Sequence, residues 1–227
     1  MTGYSPLLAI VTGVLEFSAA AYVFLSPGRK RILYPAGLLL LLLAGYQFSE
    51  VAVCANPGRL IFSQIAYFDI TWLPPVGLWL GLQLCQPQKR WMKIVPLAFF
   101  AAGLVFSVWL MLDPNCVTRS VCDLVLARYT TNNPFHIAYV IYYQSGLMML
   151  IFGTALGMAY TGDAVLRKHL VNLQVGVLGF LFPSIAFRIL VPDSAELETS
   201  IMCHFALILA VSLFFLVLRE RRFRPSG

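Results

Sequence analysis

Within its apolar stretches the chain carries six ionisable residues: Glu16, Glu50, Asp69, His136, Arg188 and His204. An ionised carboxylate in hydrocarbon costs several kcal/mol, so each such residue is a functional candidate by default. Carboxylates and neutral imidazoles are zinc ligands, and a zinc site with one open position activates water for hydrolysis. Asp69, Glu50, His136 and His204 are therefore the candidate catalytic set, and His136, His204 and Asp69 the candidate metal ligands. Arg188 reads as an anion contact. The ligand set rests on residue type alone, because no H-x-x-x-H, H-E-x-x-H or C-x-x-C spacing occurs. Cys203 points about 100° away from His204 around a helix and does not join it on one ion.

Helical spacing extends the set. His136, Tyr139 and Tyr143 fall at i, i+3 and i+7, one face of a helix. Tyr46, Glu50 and Cys54 share another face at i, i+4 and i+8, and Ser184 and Arg188 a third. Folded together with Trp72, these stripes line an outward-opening polar pocket with Asp69 and Glu16 at its floor. Each residue also has a plainer role. Arg188 snorkels to the interface or pairs with Glu50, His136 caps a helix, and Tyr46, Tyr139, Tyr143 and Trp72 pack. Glu50 is solvated, and Asp69 and Glu16 are hydrogen-bonded neutral acids.

The elements that position these residues follow from composition. Of 227 residues, 59% are hydrophobic and 11% charged, against about 25% charged in a soluble domain. Mean hydropathy is +0.80. In lipid every backbone polar group must be satisfied internally, which leaves helices and closed barrels. Long apolar runs exclude the barrel. Seven stretches reach the roughly 20 residues a spanning helix needs, at about 6–25, 32–53, 60–84, 94–112, 134–160, 170–191 and 200–218. The expected fold is all-α: one domain over 1–227, a seven-transmembrane-helix bundle. Pro6, Pro35, Pro96 and Pro134 fall near expected helix starts, whereas Pro74, Pro75 and Pro183 are expected to kink or unwind their helices. The opening MTGYSP lacks the cationic region of a signal peptide, so the first run is expected to be a retained helix.

Charge sets the expected orientation. Arg29, Lys30, Arg31, Lys89, Arg90, Lys93, Arg167, Lys168, Arg219, Arg221, Arg222 and Arg224 fall at one end of the spans, against Arg59, Arg119 and Arg128 at the other. The N-terminus is expected outside and the C-terminus in the cytoplasm, in a bacterial inner membrane. The net charge of +6 is spread over short loops, with no extended basic face for nucleic acid. Asp69 then lies roughly 13 Å below the outer surface, with Glu16 at similar depth. Cys54, Cys116 and Cys122 lie outside, where disulfides form, and Cys54 is expected to pair with Cys116 or Cys122.

Seven helices with buried acids, Asp69 and His204 resemble the membrane hydrolase superfamily of alkaline ceramidases and adiponectin-type receptors. That resemblance implies zinc and the cleavage of lipid amides. The chain departs from it where the last helix of that family carries an H-x-x-x-H pair, since Ile208 stands in the second place. The stretches YQFSEVAVC and NPFHIAYVIYY resemble uncharacterised bacterial seven-helix membrane proteins, which implies a fold and no activity. A retinal protein needs a lysine in its last helix, and SIMCHFALILAVSLFFLVL has none. The expectation is a membrane-embedded hydrolase acting on a lipid or amphiphile from the outer leaflet. Its rivals are a ligand-binding sensor that signals to a protein partner through the basic cytoplasmic loops, and a small-solute or proton-coupled transporter using Glu16 and Asp69.

Overall fold

A computed structural model describes residues 6–56, 58–85, 90–122, 127–190 and 198–222, the side chains of Arg90, Trp91, Arg128, Phe187, Arg188, 198–204 and Arg222 excepted. Helices run over Leu7–Leu25 (α1), Lys30–Ala55 (α2), Leu60–Thr71 (α3), Leu73–Leu84 (α4), Arg90–Leu112 (α5), Asn133–Tyr160 (α6), Ala164–Leu190 (α7) and Glu198–Arg222 (α8). Among the described residues six spans are long and apolar enough to cross a membrane, α3 and α4 together counting as one. Their outward faces are apolar as well: Leu7 and Leu15 of α1 and Val105 and Met111 of α5 are exposed. Lipid, not water, is the solvent such faces suit.

The departure from an all-α fold lies between α5 and α6. After a 3-10 turn at Pro114–Cys116, strands Val117–Cys122 (β1) and Ala127–Thr131 (β2) pair antiparallel, Val117 opposite Thr131 and Cys122 opposite Ala127. The stretch between the expected spans 94–112 and 134–160 thus holds a paired hairpin, because pairing its backbone groups with one another is the cheapest way to satisfy them against a protein surface. It lies at one end of the bundle. Among the described residues, Arg29 of the α1–α2 turn and Arg167 at the start of α7 lie at the opposite, basic end.

α2 is the central post, packed against α1, α3, α4 and α8. Two buried clusters divide the interior. One is largely aliphatic, with Leu33, Leu40, Leu80, Leu84, Leu170 and Leu213. The other, at the hairpin end, is aromatic, with Tyr46, Tyr67, Phe106, Phe135, Tyr139 and Tyr142.

The third span breaks where its prolines require it. Residues 74 and 75 have no N–H, so the carbonyls of Ile70 and Thr71 lose their helical partners. α3 ends at Thr71, the Trp72 amide turns back to the Asp69 carbonyl at 3.3 Å, and α4 begins at Leu73. The Tyr142 hydroxyl then donates to the Thr71 carbonyl at 2.7 Å. α7, by contrast, runs through Pro183 as one helix, so the unwinding expected there is absent. One proline removes one ladder bond, whereas Pro74 and Pro75 remove two in succession. Pro35 and Pro96 also lie inside their helices rather than at the starts, since α2 begins at Lys30 and α5 at Arg90. α6 starts as expected, with Pro134 in its first turn and the Asn132 side chain accepting from the Phe135 amide at 3.0 Å.

Replacing Tyr142 by Phe leaves the Thr71 carbonyl buried without a donor. We expect a loss of about 1–3 kcal/mol of stability in detergent, read by thermal unfolding. Pro75→Ala returns an N–H to that carbonyl, so in its background the same substitution should cost less than about 1 kcal/mol.

Candidate functional site

Close packing of helices sets the level of each polar residue. Gly13 of α1 abuts Gln47 and Phe48 of α2, and Gly37 of α2 abuts Phe24 of α1. This antiparallel register brings Glu16, one turn beyond Gly13, level with Ala44 and Gly45. From the other flank, Asp69 of α3 lies against Gly45 itself. A β-carbon there would sit 3.0 Å from the Asp69 Cγ and would overlap Oδ2. Only a residue without a side chain lets the carboxyl approach α2 so closely.

Two acids thus meet α2 at one level beneath the hairpin. Glu16 is fully buried, and among the described residues neither of its carboxyl oxygens has a hydrogen-bond partner. Asp69 is partly buried, and its Oδ2 is likewise buried and unpartnered. Buried polar groups without partners are rare and costly, and such exceptions concentrate at functional sites.

Glu50 has a different occupation. It is fully buried and accepts a hydrogen bond from the Ala127 amide at 3.3 Å. One turn further along α2, Cys54 forms a disulfide with Cys122, the residue opposite Ala127 in the hairpin. A carboxylate and a disulfide on one face of α2 together fasten the hairpin to the bundle. Of the two pairings left open by the sequence, Cys122 is the partner, and Cys116 is a buried free thiol.

The expected face of α6 divides. Tyr139 is buried, its hydroxyl 3.4 Å from the Thr71 Oγ1 and its ring stacked between Phe135 and Tyr143. His136 is exposed in the first turn, above the core, with Nδ1 3.2 Å from the Thr131 Oγ1. Tyr143 is half-buried and lines a central apolar cavity of about 30 Å³. Trp72 stands at the helix break, its ring 6.2 Å from those of Phe68 and Phe100. Tyr46 is buried in the aromatic cluster. The side chains of Arg188, Cys203 and His204 lie outside the described residues.

Among the described residues no three His, Cys, Asp or Glu side chains converge. Asp69, Glu50 and His136 stand apart, the first against Gly45, the second on Ala127, the third on Thr131. The described residues do not fit a zinc site, and no step through a metal follows from them. Asn172 and Gln174 are engaged too, accepting from Arg219 at 3.0 Å and from the Thr154 hydroxyl respectively.

The basic end holds a cluster that residue counting missed. Glu220, 1% exposed, accepts from Arg29 Nε at 2.5 Å, Arg29 Nη2 at 2.7 Å and the Arg29 amide at 3.2 Å. The fully buried His169 Nε2 lies 3.0 Å from its other face at Oε2. Arg29 and Glu220 had been hidden in runs of cations. A single acid inside LRERR was the available signal, since a lone buried carboxylate among arginines calls for a fork-shaped partner.

Comparison with protein-family models and with curated proteins finds no match. The site alone therefore carries the function.

Burial pushes the Glu220 carboxyl up, but hydrogen bonds from Arg29 and His169 and the Arg29 charge outweigh it and hold it at about 2, below the ordinary 4.5. A depressed carboxyl binds its proton more readily in the unfolded chain. Its stabilisation is thus complete above pH 4.5 and drains away as pH falls towards 2. Glu220→Gln should lower stability at neutral pH and flatten the acid limb of the unfolding curve below pH 4.5.

Proposed function

We propose that the chain is a seven-helix integral membrane protein, N-terminus outside and C-terminus cytoplasmic, with a ligand-binding centre in its outer half. Two independent features support the orientation. Twelve lysines and arginines named above cluster at one end, and the Cys54–Cys122 disulfide lies at the other, as an oxidising exterior requires. Residues 200–218 within α8 supply the seventh span.

The observation that carries the binding role is the pair Glu16 and Asp69, buried acids without partners at one level of α2. A carboxylate held inside a membrane recognises a cation through its charge. The ligand class that fits is a small cationic amphiphile, reaching the partly exposed Asp69 between α2 and α3.

The sensor reading leads its rivals on specific grounds. A hydrolase needs His136, His204 and a carboxylate within mutual reach, whereas His136 and Glu50 are engaged with the hairpin. A transporter needs a polar path onward from Asp69, whereas Leu40, Leu80, Leu84 and Leu170 fill the interior towards the basic end. The signal then passes to a protein partner at the basic loops, through the α2 post that touches both ends.

Asp69→Asn and Glu16→Gln separate this role from a structural one. A binding acid held against its own cost should yield a neutral variant more stable by about 1–3 kcal/mol. Wild-type protein should be stabilised by alkyl trimethylammonium compounds, and Asp69→Asn should lose that response. Variants that unfold more readily than wild type would make the two acids structural and sink the binding reading; about one equivalent of zinc in the purified protein by mass spectrometry would sink it too and restore the hydrolase. A C-terminal green fluorescent protein fusion should fluoresce, as a cytoplasmic C-terminus requires; a dark fusion with active alkaline phosphatase at the same position reverses the orientation.

A further inference from the structure

A cavity lies away from the acids, towards the basic end. α5 and α6 meet near the hairpin, where Gly103 abuts the Tyr142 hydroxyl and Gly146 abuts Phe99. Continuing that antiparallel register brings Gly153 level with Met92. There the helices have parted, and a β-carbon on Gly153 would meet nothing within 4 Å. The wedge between α4, α5 and α6 is a groove of about 290 Å³, close to the lower bound of about 300 Å³ for small-molecule sites. Its walls include Gly81, Val95, Pro96, Gly153 and Gly157. Thr154 in the wall has its hydroxyl occupied by the Leu150 carbonyl at 2.7 Å, and its methyl faces Gly81. On the outward side the exposed apolar Phe152 and, at the end of α6, the exposed Tyr160 border the opening, as a lipid-facing slot requires.

The rim at the basic end is cationic. Lys93, exposed, directly follows the lining residue Met92. Arg167, exposed, donates to the Thr161 carbonyl at 3.1 Å, next to the lining Tyr160. The nearby acid, Asp163, is occupied in capping α7, its Oδ1 accepting from the Val165 and Leu166 amides at 2.7 and 3.3 Å. An apolar slot one chain wide, open to lipid and bordered by two cations, matches an anionic amphiphile in both parts.

We infer that this groove binds an anionic phospholipid of the basic-end leaflet, one acyl chain between α5 and α6 and the phosphate at Lys93 and Arg167. The lipid completes the packing that the parted helices leave unfilled. It also ties α4, α5 and α6 together where α5 and α6 make little contact of their own. The site is separate from the Asp69 centre and stands or falls independently of it.

The test is thermal unfolding of the whole protein in nanodiscs of phosphatidylcholine, alone or mixed with phosphatidylglycerol. Wild type should unfold about 5 °C higher with phosphatidylglycerol present. Gly153→Phe fills the groove from a position with room for a side chain, so it should keep the fold and abolish the shift. Lys93→Gln should reduce the shift by at least half, and Asp69→Asn should leave it intact. Equal unfolding temperatures in the two lipids overturn the inference, as does a shift undiminished in Gly153→Phe. So does cross-linking that shows a second copy of the chain seated at α6 with no response to phosphatidylglycerol.

Discussion

The Thr71 carbonyl has no backbone donor, because residue 75 is proline, and the hairpin half of the molecule is organised around that vacancy. In water a free carbonyl costs little. Within a membrane it must be met by another part of the chain. Tyr142 meets it, Tyr139 bonds the Thr71 hydroxyl, and the rings of both extend into Phe106 and Phe135. α6 is thereby held at the break in the third span, and the break sets where Asp69 ends its helix turn. The aromatic layer and the acid have one origin.

Above that layer the hairpin is secured twice to α2, and the two fastenings differ in kind. The disulfide restricts how far β1 can leave α2, and the Glu50–Ala127 hydrogen bond sets its approach. At the opposite end the Arg29–Glu220–His169 cluster joins the α1–α2 turn, α7 and α8. The buried carboxylates at both ends, Glu50 and Glu220, are engaged by local partners. Glu16 and Asp69, between them, have no such partners among the described residues. That contrast, more than the acids' mere presence, marks them out.

Membrane class, six of the span positions, the proline break at 74–75 and the pairing of Cys54 with Cys116 or Cys122 were legible in the chain, because each depends on residues near one another or on composition. Glu50 was legible as important and misread in role. Its partner is a backbone amide 77 residues away, and a backbone amide carries no side-chain signature. His136 shares a helical face with Tyr139, yet the face ends at the helix terminus, and a periodic pattern contains no information about where the core stops. Tyr142 was passed over because its position falls off the expected stripe; the Thr71 carbonyl that recruits it belongs to another helix. Arg29 counted only as one more topology signal, since charge counting sums over a loop and discards who faces whom.

The sequence by itself determined that the backbone must be helical and lipid-facing, since hydrocarbon admits few other ways to satisfy its polar groups, and it determined where that rule breaks. Only the tertiary structure decided which acids stand alone, which are consumed in fastening, and where two helices part to leave a groove. Those outcomes depend on register between helices, and register is set by glycines such as Gly13, Gly45 and Gly146 meeting particular side chains across an interface. No single helix contains that information, because each contact is half written on its neighbour.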